Sequence, residues 1–118
     1  MTVAASPAGS AETVIAAISG MQITPGDAVD LAGNVSITIG TSGVSVVLKV
    51  ERGAVAGGTL VAATPAITVV AANVYNLDIN CTDIQVPEVY NQGYVFTVTV
   101  ASAAATSTVG SVWLGAVW

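Results

Sequence analysis

Histidine is absent from the 118 residues of this chain, cysteine occurs once, and Lys and Arg together occur twice, with charged residues at 8%. The lack of imidazole removes the side chain that most often shuttles protons near neutral pH, and no lysine stands beside a serine in a recognisable motif. No activated nucleophile can therefore be assembled, and an enzyme is not expected. The lone Cys81 excludes an internal disulfide and reads as a small buried hydrophobe. Two cations cannot build the basic stripe that neutralises a phosphate backbone, so direct nucleic-acid binding is not expected either. Aromatic residues, at 5%, are too few for the two girdles of a membrane barrel. No positive leader precedes an apolar stretch at the N-terminus, so export by a signal peptide is not expected.

What the chain does contain is apolar. Hydrophobic residues make up 53%, mainly Val and Ala, and mean hydropathy is +0.80. Soluble domains carry about a quarter charged residues, so something other than charge must keep this surface in water. Ser, Thr, Asn and Gly supply a neutral polar face, and burial against copies of the chain or a larger assembly would remove the rest. The net charge is −5. From Val89 to Trp118 no residue is charged, long enough for a membrane helix, but the alternation from Tyr94 to Ala101 and its β-branched content read as strand.

Period-two patterns separated by turn signals recur along the chain, as in an all-β protein. Residues 1–12 read as a flexible lead and 13–118 as one antiparallel β-sandwich, a jelly roll or Greek key of seven to eight strands. The first strand covers Thr13 to Ile23, with a kink at Gly20, and Pro25-Gly26-Asp27 turns the chain. Val35 to Ile39 form a strand that Gly40 to Gly43 close into a hairpin with Val44 to Glu51. In that second strand Val44, Val46, Leu48 and Val50 face the core, while Lys49 and Glu51 face water. Pro65 marks an edge or a bend between Leu60 to Ala63 and Ile67 to Ala71. Tyr75 to Thr82 is half-buried with Cys81 inward. Tyr94 to Ala101 opens a last hairpin, whose second arm runs from about Thr108 to Trp118 and is apolar on both faces. Such a strand needs cover on both sides, at the centre of a sandwich or at a subunit interface.

Candidate contact residues follow from scarcity. Lys49 and Arg52 hold all the positive charge within four residues, where a partner's acids could meet them. Trp113 and Trp118 are the large apolar groups of the last strand. In a glycan-binding reading, Tyr90 and Tyr94 would stack on sugars beside Asn91 and Gln92. Asp27 and Asp30, and Asp78 and Asp83, read as turn aspartates rather than calcium ligands, and no metal or cofactor is expected.

Three stretches, NVSITIGTSGVSVVLKVERGAVAGGTLV, VPEVYNQGYVFTVTV and TSTVGSVWLGAVW, give the chain a pattern that resembles the small single-jelly-roll head decoration, or cement, proteins of bacteriophages. The likeness covers the last two thirds and is one of composition and topology, so no functional residue carries over. It implies a homotrimer on the outside of an icosahedral shell of major capsid protein, stabilising that shell in the virion, with no membrane and no small-molecule substrate.

Overall fold

The structure is a computed structural model that describes residues 2–3, 12–24, 26–40, 44–69, 73–84, 91–100 and 107–118. Among the described residues nine strands lie in chain order: β1 (Thr2–Val3), β2 (Thr13–Met21), β3 (Val29–Ile39), β4 (Ser45–Arg52), β5 (Thr59–Ala63), β6 (Ile67–Thr68), β7 (Asn73–Asp83), β8 (Gln92–Val100) and β9 (Ser107–Val117). Two are only two residues long, which leaves seven principal strands. Among the described residues there is no helix, and hence none long and apolar enough to cross a membrane.

The strands form two antiparallel sheets. The larger has the order β1-β2-β8-β4-β5, with β6 also on β4, and the smaller is β7-β3-β9. The chain is an all-β, single-domain sandwich, as its alternation predicts. Within residues 1–12, expected to be a loose lead, Thr2 and Val3 pair with Ala17 and Ala16. The kink expected at Gly20 is a break in register between Ile18 and Met21, and Gly20 takes a positive φ of 73° there.

Two expected hairpins do not form. β3 and β4 belong to different sheets, and so do β8 and β9. The chain also changes sheet between β2 and β3, between β6 and β7 and between β7 and β8, a winding of the Greek-key kind. The connecting residues 41–43 and 101–106 lie outside the described residues.

Alternation places the core between the sheets. Val46, Leu48 and Val50 of β4 and Phe96 and Val98 of β8 are fully buried from one side, and Val35, Ile37 and Ile39 of β3 from the other. Cys81 points inward and is half-buried, packed against this core. Gly33 sits among the inward residues of β3, and a Cβ there would stand 2.9 Å from the ring of Phe96 and 3.1 Å from Ile79. The missing side chain makes room for that ring, so the two sheets interlock at this point.

Pro65 interrupts an edge, as its missing N–H requires. β5 and β6 both pair with β4 on either side of it, and the gap is bridged by Thr64, whose N–H donates to the Leu48 carbonyl and whose hydroxyl accepts from the Leu48 N–H.

The position expected for the last strand is corrected. Among the described residues β9 is not central but an edge, paired with β3 alone. Leu114 is buried, whereas Trp113 is 53%, Val117 71% and Trp118 55% exposed. Its inner face is covered by the other sheet, and its outer face is open.

Candidate functional site

Strand parity decides what each polar side chain meets. Arg52 shares parity with Val46, Leu48 and Val50, so its guanidinium enters the end of the sandwich. There Nε and Nη2 donate to the two oxygens of Asp83 at 2.6 and 2.5 Å. Tyr94, level with Arg52 on the adjacent strand, donates its hydroxyl to Asp83 at 2.7 Å. Asp83 is 3% exposed and Tyr94 fully buried. A bidentate ion pair and a phenol thus clamp β7 of one sheet to β4 and β8 of the other. The bond to Asp83 holds the Arg52 pKa above its ordinary value, and burial followed by that same bond raises Tyr94. Burial, with the Asp83 charge adding to it, also raises the Cys81 thiol.

This geometry corrects two sequence expectations. Arg52 does not join Lys49 in a surface patch, because its charge is spent within the chain. Tyr94 and Gln92 cannot stack on or bind a glycan, since both are buried and the Gln92 amide donates to the Gly93 carbonyl. Asn91 is exposed and takes a left-handed φ of 60°, and Tyr90 lies outside the described residues.

A second cluster occupies the outer face of the larger sheet. Lys49 Nζ lies 3.9 Å from Glu12, whose carboxylate accepts from the Thr97 hydroxyl at 2.8 Å. Glu51, expected to face water, is buried after a break in register at Val50, and its carboxylate accepts from the Gly57 N–H. Burial raises the Glu51 pKa, the Gly57 bond opposes this, and the nearby Glu12 adds to the rise. A raised carboxyl pKa means that the charged form is disfavoured on folding, a cost present at neutral pH and relieved as pH falls through the folded pKa. Glu51→Gln is therefore expected to raise thermal stability slightly at pH 7, within about 1 kcal/mol, with the difference fading as pH falls towards about 4.5. Melting curves across that range check it; a difference that grows on acidification would refute the assignment.

The outer face of β7-β3-β9 is the open surface. Register sets Asn34 between Trp113 and Asp78, Ala32 between Gly115 and Asn80, and Asp30 between Val117 and Thr82. Asn34 donates to Asp78 and Thr82 donates to Asp30, each at 2.7 Å. The six-membered ring of Trp113 lies over Gly115, where a Cβ would overlap it. A groove of about 510 Å³ runs along this face, lined in part by Ala32 and Gly115. Trp118 is held differently: its indole N–H donates to the Gln22 carbonyl at 2.8 Å. Trp113 is singled out by the sequence but its polar neighbours are not, because Asp30 reads as a turn residue and Asn34 precedes the strand expected from Val35.

No group of three or more His, Cys, Asp or Glu that could hold a metal occurs among the described residues. No protein-family model matches the chain, and no curated protein or solved structure matches it significantly.

Proposed function

We propose that the chain is a structural virion protein, a decoration or cement subunit that binds copies of itself and a major capsid protein on the outside of an icosahedral shell. The observation that supports this reading most is β9. Eleven residues without charge or proline form an open edge, with Val117 and Trp118 exposed at its end. Isolated sandwiches usually blunt an edge with Lys, Pro or a bulge; β9 has neither Lys nor Pro, its register against β3 slips once at Gly110, and the unbroken stretch beyond, residues 111–117, is a template for another chain. A partner strand or subunit on β9 would cover its apolar end. A homotrimer places three such edges around one axis. A subunit that binds several shell proteins at once, and only in the assembled lattice, stabilises that lattice by mass action and multivalency. Neither a catalytic group nor a cofactor enters this mechanism.

Two measurements test it. Light scattering after size exclusion should give a trimer, and Ser111→Lys with Val117→Lys, which charges the edge, should give a folded monomer. In lysates of the producing cells, density-gradient fractionation should place the chain with capsid-sized particles. A wild-type monomer that stays at the top of the gradient would overturn the reading. Lys49→Glu is the appropriate probe of a charged shell contact, because Arg52→Glu would set a carboxylate against Asp83 and report unfolding instead.

The second reading, a glycan-binding or adhesion module of a phage or bacterial surface structure, loses Tyr94 and Gln92 but is favoured by the exposure of Trp113 on a polar face.

A further inference from the structure

We infer that the outer face of β7-β3-β9 binds neutral hexopyranosides, with the indole of Trp113 as the stacking platform. The inference uses the face of the sheet rather than the β9 edge proposed for assembly, and shares Val117 with it.

Trp113 is the large aromatic group on a face that otherwise carries amides, hydroxyls, small residues, the carboxylates of Asp30 and Asp78 and the exposed Val74 and Val117. Its ring is held over Gly115, where any side chain would displace it, so the platform is built by the backbone beneath it. A ring fixed before binding loses little freedom on contact, which is what a weak stacking interaction needs. The face of an aromatic π-system is electron-rich, and the axial C–H groups of a pyranose present a complementary apolar, weakly positive surface.

The groove beside the ring suits the rest of such a ligand. Its volume, about 510 Å³, falls within the range of small-molecule sites, and the small Ala32 beside the ring leaves room above the sheet. Asn80, Thr82 and Asp30 line it together with Trp113. Asp30 is already oriented by Thr82, and Asp78 by Asn34. Each carboxylate retains a second oxygen able to accept from a sugar hydroxyl, and the amide of Asn80 can both donate and accept.

Charge decides which sugars fit. Along the described positions of this face the ionisable groups are Asp30 and Asp78, while Lys49 and Arg52 belong to the other sheet. Uronic acids, sialic acids and phosphorylated glycans would meet only like charge. A protein partner would require a broader apolar centre than Trp113 and Val117 provide.

The test uses the full chain and defined oligosaccharides: neutral gluco-, manno- and galacto-hexaoses, with oligogalacturonate as the acidic control. In heteronuclear NMR titrations at millimolar ligand, at least one neutral hexaose should shift the Trp113 indole and Asn80 side-chain signals. Trp113→Ala should weaken that binding about tenfold or more while the circular dichroism spectrum is kept. Gly115→Ala should weaken it too, although the indole remains, because the ring is pushed off its seat. Trp118→Ala should bind as wild type. Silence of the Trp113 signal with all three neutral sugars, unchanged affinity in Trp113→Ala, or preference for the acidic control would each overturn the inference.

Discussion

Replacing Asp83 with alanine is expected to destabilise the protein by about 3–5 kcal/mol, the cost of removing one partner from a buried ion pair and leaving the other uncompensated. The carboxylate is almost wholly buried and receives two bonds from Arg52 and one from Tyr94 across the gap between sheets. Small domains have only about 5–15 kcal/mol in total, so the variant should be unfolded or close to it at growth temperature. Tyr94→Phe removes one bond to a charged group and should cost about 1.5–3 kcal/mol. That variant also reports on pH. A raised tyrosine pKa means the folded protein holds a proton that the unfolded chain releases, so wild-type stability falls as pH rises beyond about 10. Tyr94→Phe should lose most of that alkaline sensitivity. Denaturant melts at neutral and alkaline pH decide the matter: an Asp83→Ala variant within about 1 kcal/mol of wild type would show that the clamp contributes little.

Phe96→Ala is expected to cost about 3–5 kcal/mol as well, through lost burial and the cavity left between the sheets. The ring fills the space above Gly33, so the two positions should not behave independently. Gly33→Ala sets a methyl group against both Phe96 and Ile79 and should destabilise the wild type by about 1–3 kcal/mol. In a Phe96→Leu background, where the aromatic ring is gone, the same substitution should cost clearly less. A double-mutant cycle measures the coupling. Simple additivity would mean that the sheets accommodate the added methyl by moving apart, and that the interlock is not a constraint on the core.

The faces of individual strands were legible because period two is local. Val44, Val46, Leu48 and Val50 are buried as their alternation requires, and so are Tyr94, Phe96, Val98 and Val100. The sheet to which each strand belongs was not legible. A Gly- and Ser-rich connection such as residues 40–43 suits a tight hairpin and an arch between sheets equally well, and only the distant partners of β3 and β4 distinguish them. The same limit hid the start of β3, where Asp30, Gly33 and Asn34 have the composition of a turn but the register of a strand. Arg52 shows the limit for a site: its scarcity suggested an external partner, whereas its partner, Asp83, lies 31 residues further along the same chain. Trp113 was recognisable as unusual, but its platform depends on Gly115 and on neighbours contributed by β3 and β7.

The pairing pattern also governs when this protein can fold during synthesis. β3, made early, lies between β7 and β9, and Asp30 finds its neighbour at Val117, while β2 waits for β8. Of the ladders, only β1–β2 and those of β5 and β6 on β4 join stretches that leave the ribosome close together. A nascent chain must therefore carry one edge of β3 uncovered until β9 emerges, and β2 and β4 without their shared neighbour until β8 emerges. Topologies dominated by such distant pairings fold in about milliseconds to seconds. A chain halted before β9 would leave one edge of β3 and the core beneath Leu114 uncovered, so chaperone access while that strand is awaited is part of the folding problem.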